Sequence, residues 1–227
     1  MIRQHFDREL KKLEDRLLAL ESVVEQNIVA AVNVLRDRND VGARRLIAGD
    51  EHVNQEQMTI ESEALRLIAT QQPLAGDLRF IASVIAIATE LERINDYAKG
   101  IAKINLMITQ ETLLEPAADL PAMADKARSM LGRSLKAFIE RDVDAAYAIH
   151  AEDDEVDALY NRVYENLVSI ITHDASKMDQ ATHLLWAAHN LERTADRVSN
   201  ICERVIFTAT GQIVEMPEEN EVPHSQH

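Results

Sequence analysis

From Phe6 to Leu35 the apolar residues fall at Phe6, Leu10, Leu13, Leu17, Leu20, Val24, Ile28, Ala31 and Leu35. Every step is three or four, the repeat of one face of an α-helix, and it predicts a rod about 45 Å long. Arg36-Asp37-Arg38-Asn39-Asp40 interrupts the pattern, and Asn39 or Asp40 is suited to cap the next helix. That second helix carries Leu46, Val53, Ile60, Ala64, Leu67 and Ile68 and is predicted to run to about Thr70. After Pro73 a third helix is expected from about Leu74 to Ile108. Its middle, Phe80 to Ala88, is apolar nearly all round, as in a helix buried between neighbours.

Thr109 to Pro121 has two prolines and no steady period, and reads as the connection between two halves. A fourth helix is predicted over 122–140, with Met123, Ala127, Met130, Leu131, Ser134 and Phe138 on one stripe. A fifth, capped by Asp142 or Asp144, is expected to end near Thr172, and a sixth to run from about Lys177 to Thr208. Gly211 is a fitting stop, and 210–227 reads as a disordered acidic tail.

The halves repeat. A shift of 103 places Asp50 on Asp153, Val53 on Val156, Asn54 on Asp157, Ile60 on Val163 and Leu67 on Ile170. A shift of 100 places Leu91-Glu92-Arg93-Ile94-Asn95-Asp96 on Leu191-Glu192-Arg193-Thr194-Ala195-Asp196. The fold class is therefore all-α: six long helices as two tandem three-helix bundles, over 1–110 and 119–209.

Composition narrows the functions. The chain has 227 residues, 46% hydrophobic but only 4% aromatic, with Gly and Pro scarce, which suits long helices. A formal charge of −15 repels phosphate backbones and argues against nucleic-acid binding. The single cysteine, Cys202, excludes an internal disulfide framework and reads as a small buried hydrophobe. No run of eighteen apolar residues is present, so no membrane span is expected.

The chemistry lies in the repeated acids. Asp50 with Asn54, Glu92 with Asp96, Asp153 with Asp157 and Glu192 with Asp196 each sit at i, i+4, on one helix face. Each pair borders an apolar seam residue, where side chains of adjacent helices converge. Oxygen ligands meeting there can hold a hard cation, or Fe or Zn with water completing the shell. The plainer reading is a solvated face, with Asp96 paired to Lys99 and Asp196 to Arg193. Glu21 with Glu25 has the same spacing and receives no role.

His189 lies three before Glu192, but Thr89 stands in its place in the first half, so it reads as a helix-face histidine. His52 and His150 read as surface residues, Trp186 and the methionines as core filling. The run Glu152-Asp153-Asp154-Glu155 suits a helix start, which the helix dipole favours. No Gly-rich phosphate loop, Ser/His/Asp order or Cys-x-x-Cys occurs, so nucleotide hydrolysis, acyl transfer and redox catalysis lack support.

Leu-Glu-Arg-x-x-Asp twice at this distance, with Gln72-Pro73-Leu74-Ala75-Gly76-Asp77-Leu78-Arg79 upstream, resembles the PhoU phosphate-signalling family. The resemblance covers roughly residues 3 to 209. It implies a pseudo-twofold between the halves and a cytoplasmic, often dimeric regulator, recruited to the inner face of the membrane through its partners. Those would be the ATPase of a Pst-type phosphate ABC transporter and a PhoR-like sensor histidine kinase, with starvation genes repressed when phosphate is plentiful. It also implies divalent metals (Fe, Zn, Ni, Mg or Mn) at Asp50, Asn54, Glu92, Asp96, Asp153, Asp157, Glu192 and Asp196. Asn54 departs from the usual acid and weakens the first site. Asn95 and the Thr194-Ala195 pair replace the motif's Ile-Gly, with little effect on ligation expected. Two rivals stand beside a non-enzymatic metal-binding adaptor. One is a ferritin-like di-iron carboxylate enzyme, and the other is a metal-free structural helical module.

Overall fold

A computed structural model describes residues 2–110 and 112–216, with side chains from residue 4. Among the described residues seven α-helices follow in order: α1 (Ile2–Arg36), α2 (Asp40–Gln71), α3 (Ala75–Met107), α4 (Leu120–Glu140), α5 (Val143–His150), α6 (Asp153–His173) and α7 (Met178–Thr210). Short 3-10 turns at Glu115–Asp119 and Ala175–Lys177 lead into α4 and α7. Among the described residues there is no strand.

The predicted fifth helix is thus broken once, at Ala151-Glu152, into α5 and α6. Its first-half counterpart, α2, runs on without a break. Two causes are visible. The carboxylate of Glu152 is gripped by the two terminal guanidinium nitrogens of Arg133 on α4, each at 2.6 Å, and by Lys126 at 2.6 Å. The acids that follow then occupy the first turn of a new helix, where its dipole stabilises them.

The turns repeat with the sequence. Arg38 (φ 52°) and Arg141 (φ 56°), 103 positions apart, are both left-handed residues closing a helix. The residue after each caps the next helix: Asn39 Oδ1 accepts from the Gly42 N–H and Asp142 Oδ1 from the Ala145 N–H, both at 2.9 Å. Gly211 (φ 79°) ends α7 as expected. Beyond it the chain turns back: the Met216 N–H donates to Glu203 at 2.9 Å and the Met216 side chain is buried. The rest of the expected tail, 217–227, lies outside the described residues.

The main hydrophobic core runs through both halves, from Phe6 on α1 to Met216, beside a small second cluster of Val34, Ala43 and Ala102. Phe80 on α3 stacks on Phe138 on α4, with ring centroids 5.0 Å apart and planes 11° from parallel. The broadest contact between the halves is α3 against α7. There Gly100 lies against Asn190, whose amide nitrogen would be only 3.1 Å from an added Cβ. The Asn200 amide faces Glu90 at 3.4 Å. Position 90 therefore meets 200 while 100 meets 190, the reciprocal pairing that a twofold axis produces. By length and composition, residues 4–36 of α1 would suffice to cross a membrane. One stripe of it, Leu13, Leu17, Leu20, Val24, Ile28, Ala31 and Leu35, is instead buried in the bundle core.

Trp186, expected in the core, is 52% exposed. Leu184, Ala188 and Leu191 form the buried stripe of α7, and position 186 points away from it. Its ring meets His183 edge-on, 5.5 Å between centroids.

Candidate functional site

The four helices that carry the acids do meet, two by two, in two corners. The first lies between α2 and α3. Asp50 borders the buried stripe of α2 that contains Val53, and is itself buried. Two residues one turn apart on α3 address its two oxygens. Asn95 Nδ2 donates to Oδ1 at 3.0 Å and Lys99 Nζ to Oδ2 at 2.5 Å. The same ammonium reaches Asp96 Oδ1 at 2.6 Å. Asn27 on α1 donates to Asn95 at 2.8 Å and so fixes which way that amide points. Burial works against the charge of Lys99, but its bonds to Asp50 and Asp96 outweigh this and hold its pKa above the usual lysine value. Glu92 is pushed above the ordinary carboxylate range by burial and then by Asp96 and Asp50, with Lys99 and Arg93 opposing. Asn54 Oδ1 is shielded from solvent and accepts no hydrogen bond among the described residues.

The second corner lies between α6 and α7. Asp153 opens α6, and its Oδ1 is buried without a hydrogen-bond partner among the described residues. Burial, followed by the charges of Asp196, Asp157 and Glu192, pushes its carboxyl up to about 7. All four predicted acids of this half therefore share one electrostatic neighbourhood. Glu192 Oε2 stands 3.0 Å from His189 Nδ1, and Arg193 reaches Asp196 at 3.5 Å. Tyr160 on α6 packs its ring against His189, with centroids 6.1 Å apart. Ser199 occupies the position equivalent to Lys99 and meets the His150 ring at 2.9 Å.

Sequence reasoning weighed Lys99 as a partner of Asp96 but not of Asp50, because register within one helix says nothing about the neighbouring helix. It gave Asn95 little weight. That residue is 2% exposed and donates to one oxygen of Asp50. His189 was read as a helix-face histidine, and it stands on Glu192. His150, read as surface, is half-buried against Ser199.

Among the described residues, no three His, Cys, Asp or Glu side chains are gathered closely enough to share one ion. The donor chemistry still distinguishes the corners. The second corner offers four carboxylates, the donor type of hard cations, one of them with an unsatisfied buried oxygen, but not gathered around one point. In the first, an ammonium already stands between the acids.

Known proteins place the chain. The PhoU domain model matches residues 17–104 and again 120–205, once for each half. A phosphate-specific transport system accessory protein PhoU homolog of Clostridium acetobutylicum is 36% identical over 217 residues, covering 95% of this chain and 99% of that one. The homolog of the same name in Streptococcus pneumoniae is 32% identical, covering 95% of this chain and 100% of its own length. The crystal structure of the phosphate transport system regulatory protein PhoU from Streptococcus pneumoniae superposes with a TM-score of 0.86 at 32% identity, over 93% of this chain and 100% of that one. PhoU from Pseudomonas aeruginosa does so with a TM-score of 0.86 at 30% identity, over 91% of this chain and 100% of that one. With both halves matched, near-complete coverage and a shared fold, this chain belongs to the PhoU family.

Proposed function

We propose that the chain is a non-enzymatic accessory regulator of a phosphate-specific transport system. In this reading it works in the cytoplasm, often as a homodimer, as an adaptor between the transporter's ATPase subunit and a PhoR-like sensor histidine kinase. It represses the starvation response when phosphate is plentiful. The observation that carries the reading is the near-full-length match, in both halves, to relatives named as accessory proteins of that system.

Two features of the surface support a docking role. The core is continuous, so the helices present fixed faces. Tyr164, Val168, Met178 and Trp186 are exposed on α6 and α7, the same half as the four-carboxylate corner. Aromatic and methionine side chains are enriched where proteins meet. Divalent metal at Asp153, Asp157, Glu192 and Asp196 would cancel their mutual repulsion and tie α6 to α7, so occupancy tunes the adjoining face.

The test is a strain lacking its own copy and complemented with this chain, wild type or bearing Glu92→Ala, Asp96→Ala, Glu192→Ala and Asp196→Ala together. Reporter repression in high phosphate is measured alongside capture of the transporter ATPase and of the kinase. The reading expects capture of both by the wild type and derepression in the variant. Full repression by the variant at wild-type abundance removes metal from the mechanism. Failure of the wild type to capture either partner removes the adaptor.

A further inference from the structure

The two acidic corners occupy equivalent positions in the repeat, yet they are neutralised differently. In the first, Lys99 Nζ stands 2.5 Å from Asp50 and 2.6 Å from Asp96, on neighbouring helices. This is the bridging position an inter-helix cation would take. The ammonium is held there. The Lys99 side chain is 21% exposed and that of Asp50 9%. Asn95 occupies the second oxygen of Asp50 and is itself fixed by Asn27. Asn54 supplies an amide where the second half supplies Asp157. Three carboxylates bridged by a resident ammonium therefore face four carboxylates with Ser199 in the lysine's place, where Arg193 at 3.5 Å from Asp196 and His189 at 3.0 Å from Glu192 pair along α7 alone.

We infer that Lys99 is the built-in cation of the first corner, so that only the second corner takes a divalent ion. A dication entering beside Asp50 would meet a like charge at close range and would have to break two charge-assisted hydrogen bonds to displace it. Metal then acts on one half of a duplicated molecule. The α2–α3 pair is locked at all metal concentrations, while the α6–α7 pair responds to them. The statement about the second corner rests on the proposed function; the statement about Lys99 does not.

The experiment uses the full chain and Mn²⁺, with binding read by calorimetry and by the loss of the free-ion paramagnetic signal, and melting read in chelator and in saturating Mn²⁺. The proteins compared are wild type, Lys99→Met, Asp196→Ala and the Lys99→Met/Asp196→Ala double variant, each with and without Asp50→Asn. Methionine keeps the stem length and the helix preference while removing the charge. Lys99→Met is expected to melt lower in chelator, to recover with Mn²⁺, and to bind one equivalent more than wild type. That extra equivalent should persist in the double variant. A Lys99→Met protein that binds no more Mn²⁺ than wild type overturns the inference, as does one that stays unfolded with and without the ion. It is also overturned if Asp196→Ala alone retains a bound ion that Asp50→Asn removes. Wild type binding no Mn²⁺ counts against the metal reading of the second corner, while the gain in Lys99→Met still decides the role of the lysine. Adding Asp50→Asn to Lys99→Met is expected to restore the chelator melting point and abolish the gained site.

Discussion

Glu21 and Glu25, one turn apart on α1, hydrogen-bond to each other in the cleft between α1 and α4. They lie over Gly132 of α4, where an added Cβ would collide with Glu25 Oε1 and sit 3.6 Å from Glu21 Oε1. Burial, then the charge of Glu25, pushes the Glu21 carboxyl up to about 8, so the pair holds a proton at neutral pH. Arg128 and Asp125 of α4 line the same cleft beside Glu25.

The sign of the pH effect follows. A carboxyl whose pKa is higher folded than unfolded contributes stability that is complete below the unfolded value. That stability is lost as pH rises through the folded one. Between the ordinary glutamate value of 4.5 and about 8 the wild type is expected to lose more stability than Glu21→Gln, which keeps the hydrogen bond without the charge. Melting points by circular dichroism across that range test it. Parallel curves for the two proteins would dismiss the shared proton.

Arg38, half-buried, should be worth more than its place in a turn suggests. Its guanidinium donates to the Asn105 carbonyl at 2.8 Å, to the Asn105 side chain, and to the Ile108 carbonyl, closing the end of α3. Arg38→Ala is expected to cost roughly 2 kcal/mol in urea unfolding, the scale of hydrogen bonds from a charged donor. Arg38→Gly loses the same bonds but accepts the positive φ, so it should be less destabilised than Arg38→Ala by about 1 kcal/mol. Equal values would show that the left-handed backbone carries no penalty here.

Phe138→Ala probes the joint between the halves. The ring is fully buried and stacked on Phe80. Its removal should cost about 3–5 kcal/mol, because the rigid helices around it cannot close the void. Equilibrium denaturation followed by helix signal should show one transition for the wild type. A loss below about 1 kcal/mol would mean that the halves do not share a core.

Removing metal should matter in one pH range. Asp153 is held up at about 7, so protons compete with a cation for the second corner below neutrality. Mn²⁺ at about a hundred times its Kd should stabilise the protein by about 2.7 kcal/mol above pH 7. The gain should shrink towards pH 5 and vanish in Glu192→Ala/Asp196→Ala. A gain that is independent of pH, or retained in that variant, would place the ion elsewhere.

The repeat determined much of this molecule directly. Steps of three and four fix helix positions because a helix has one period, and Asn39, Asp142 and Gly211 mark helix ends because caps are local chemistry. The family motif is equally local, a string of residues on one helix face. The break at Ala151-Glu152 was not legible, since it depends on Arg133 and Lys126 reaching across from α4. Nor was the exposure of Trp186, which an aromatic residue's hydrophobicity alone would have placed inside.

The carboxylate corners divide the same way. Spacing along α2, α3, α6 and α7 put each pair of acids on one face, and the duplication put the pairs in matching places. Which cation faces them was decided only between helices. Lys99 and Asn95 meet Asp50 from 49 and 45 positions away, and Ser199 turns to His150 instead. Periodicity specifies the face a side chain occupies. The charge opposite it is set by how neighbouring helices pack, and electrostatic energy depends on that distance.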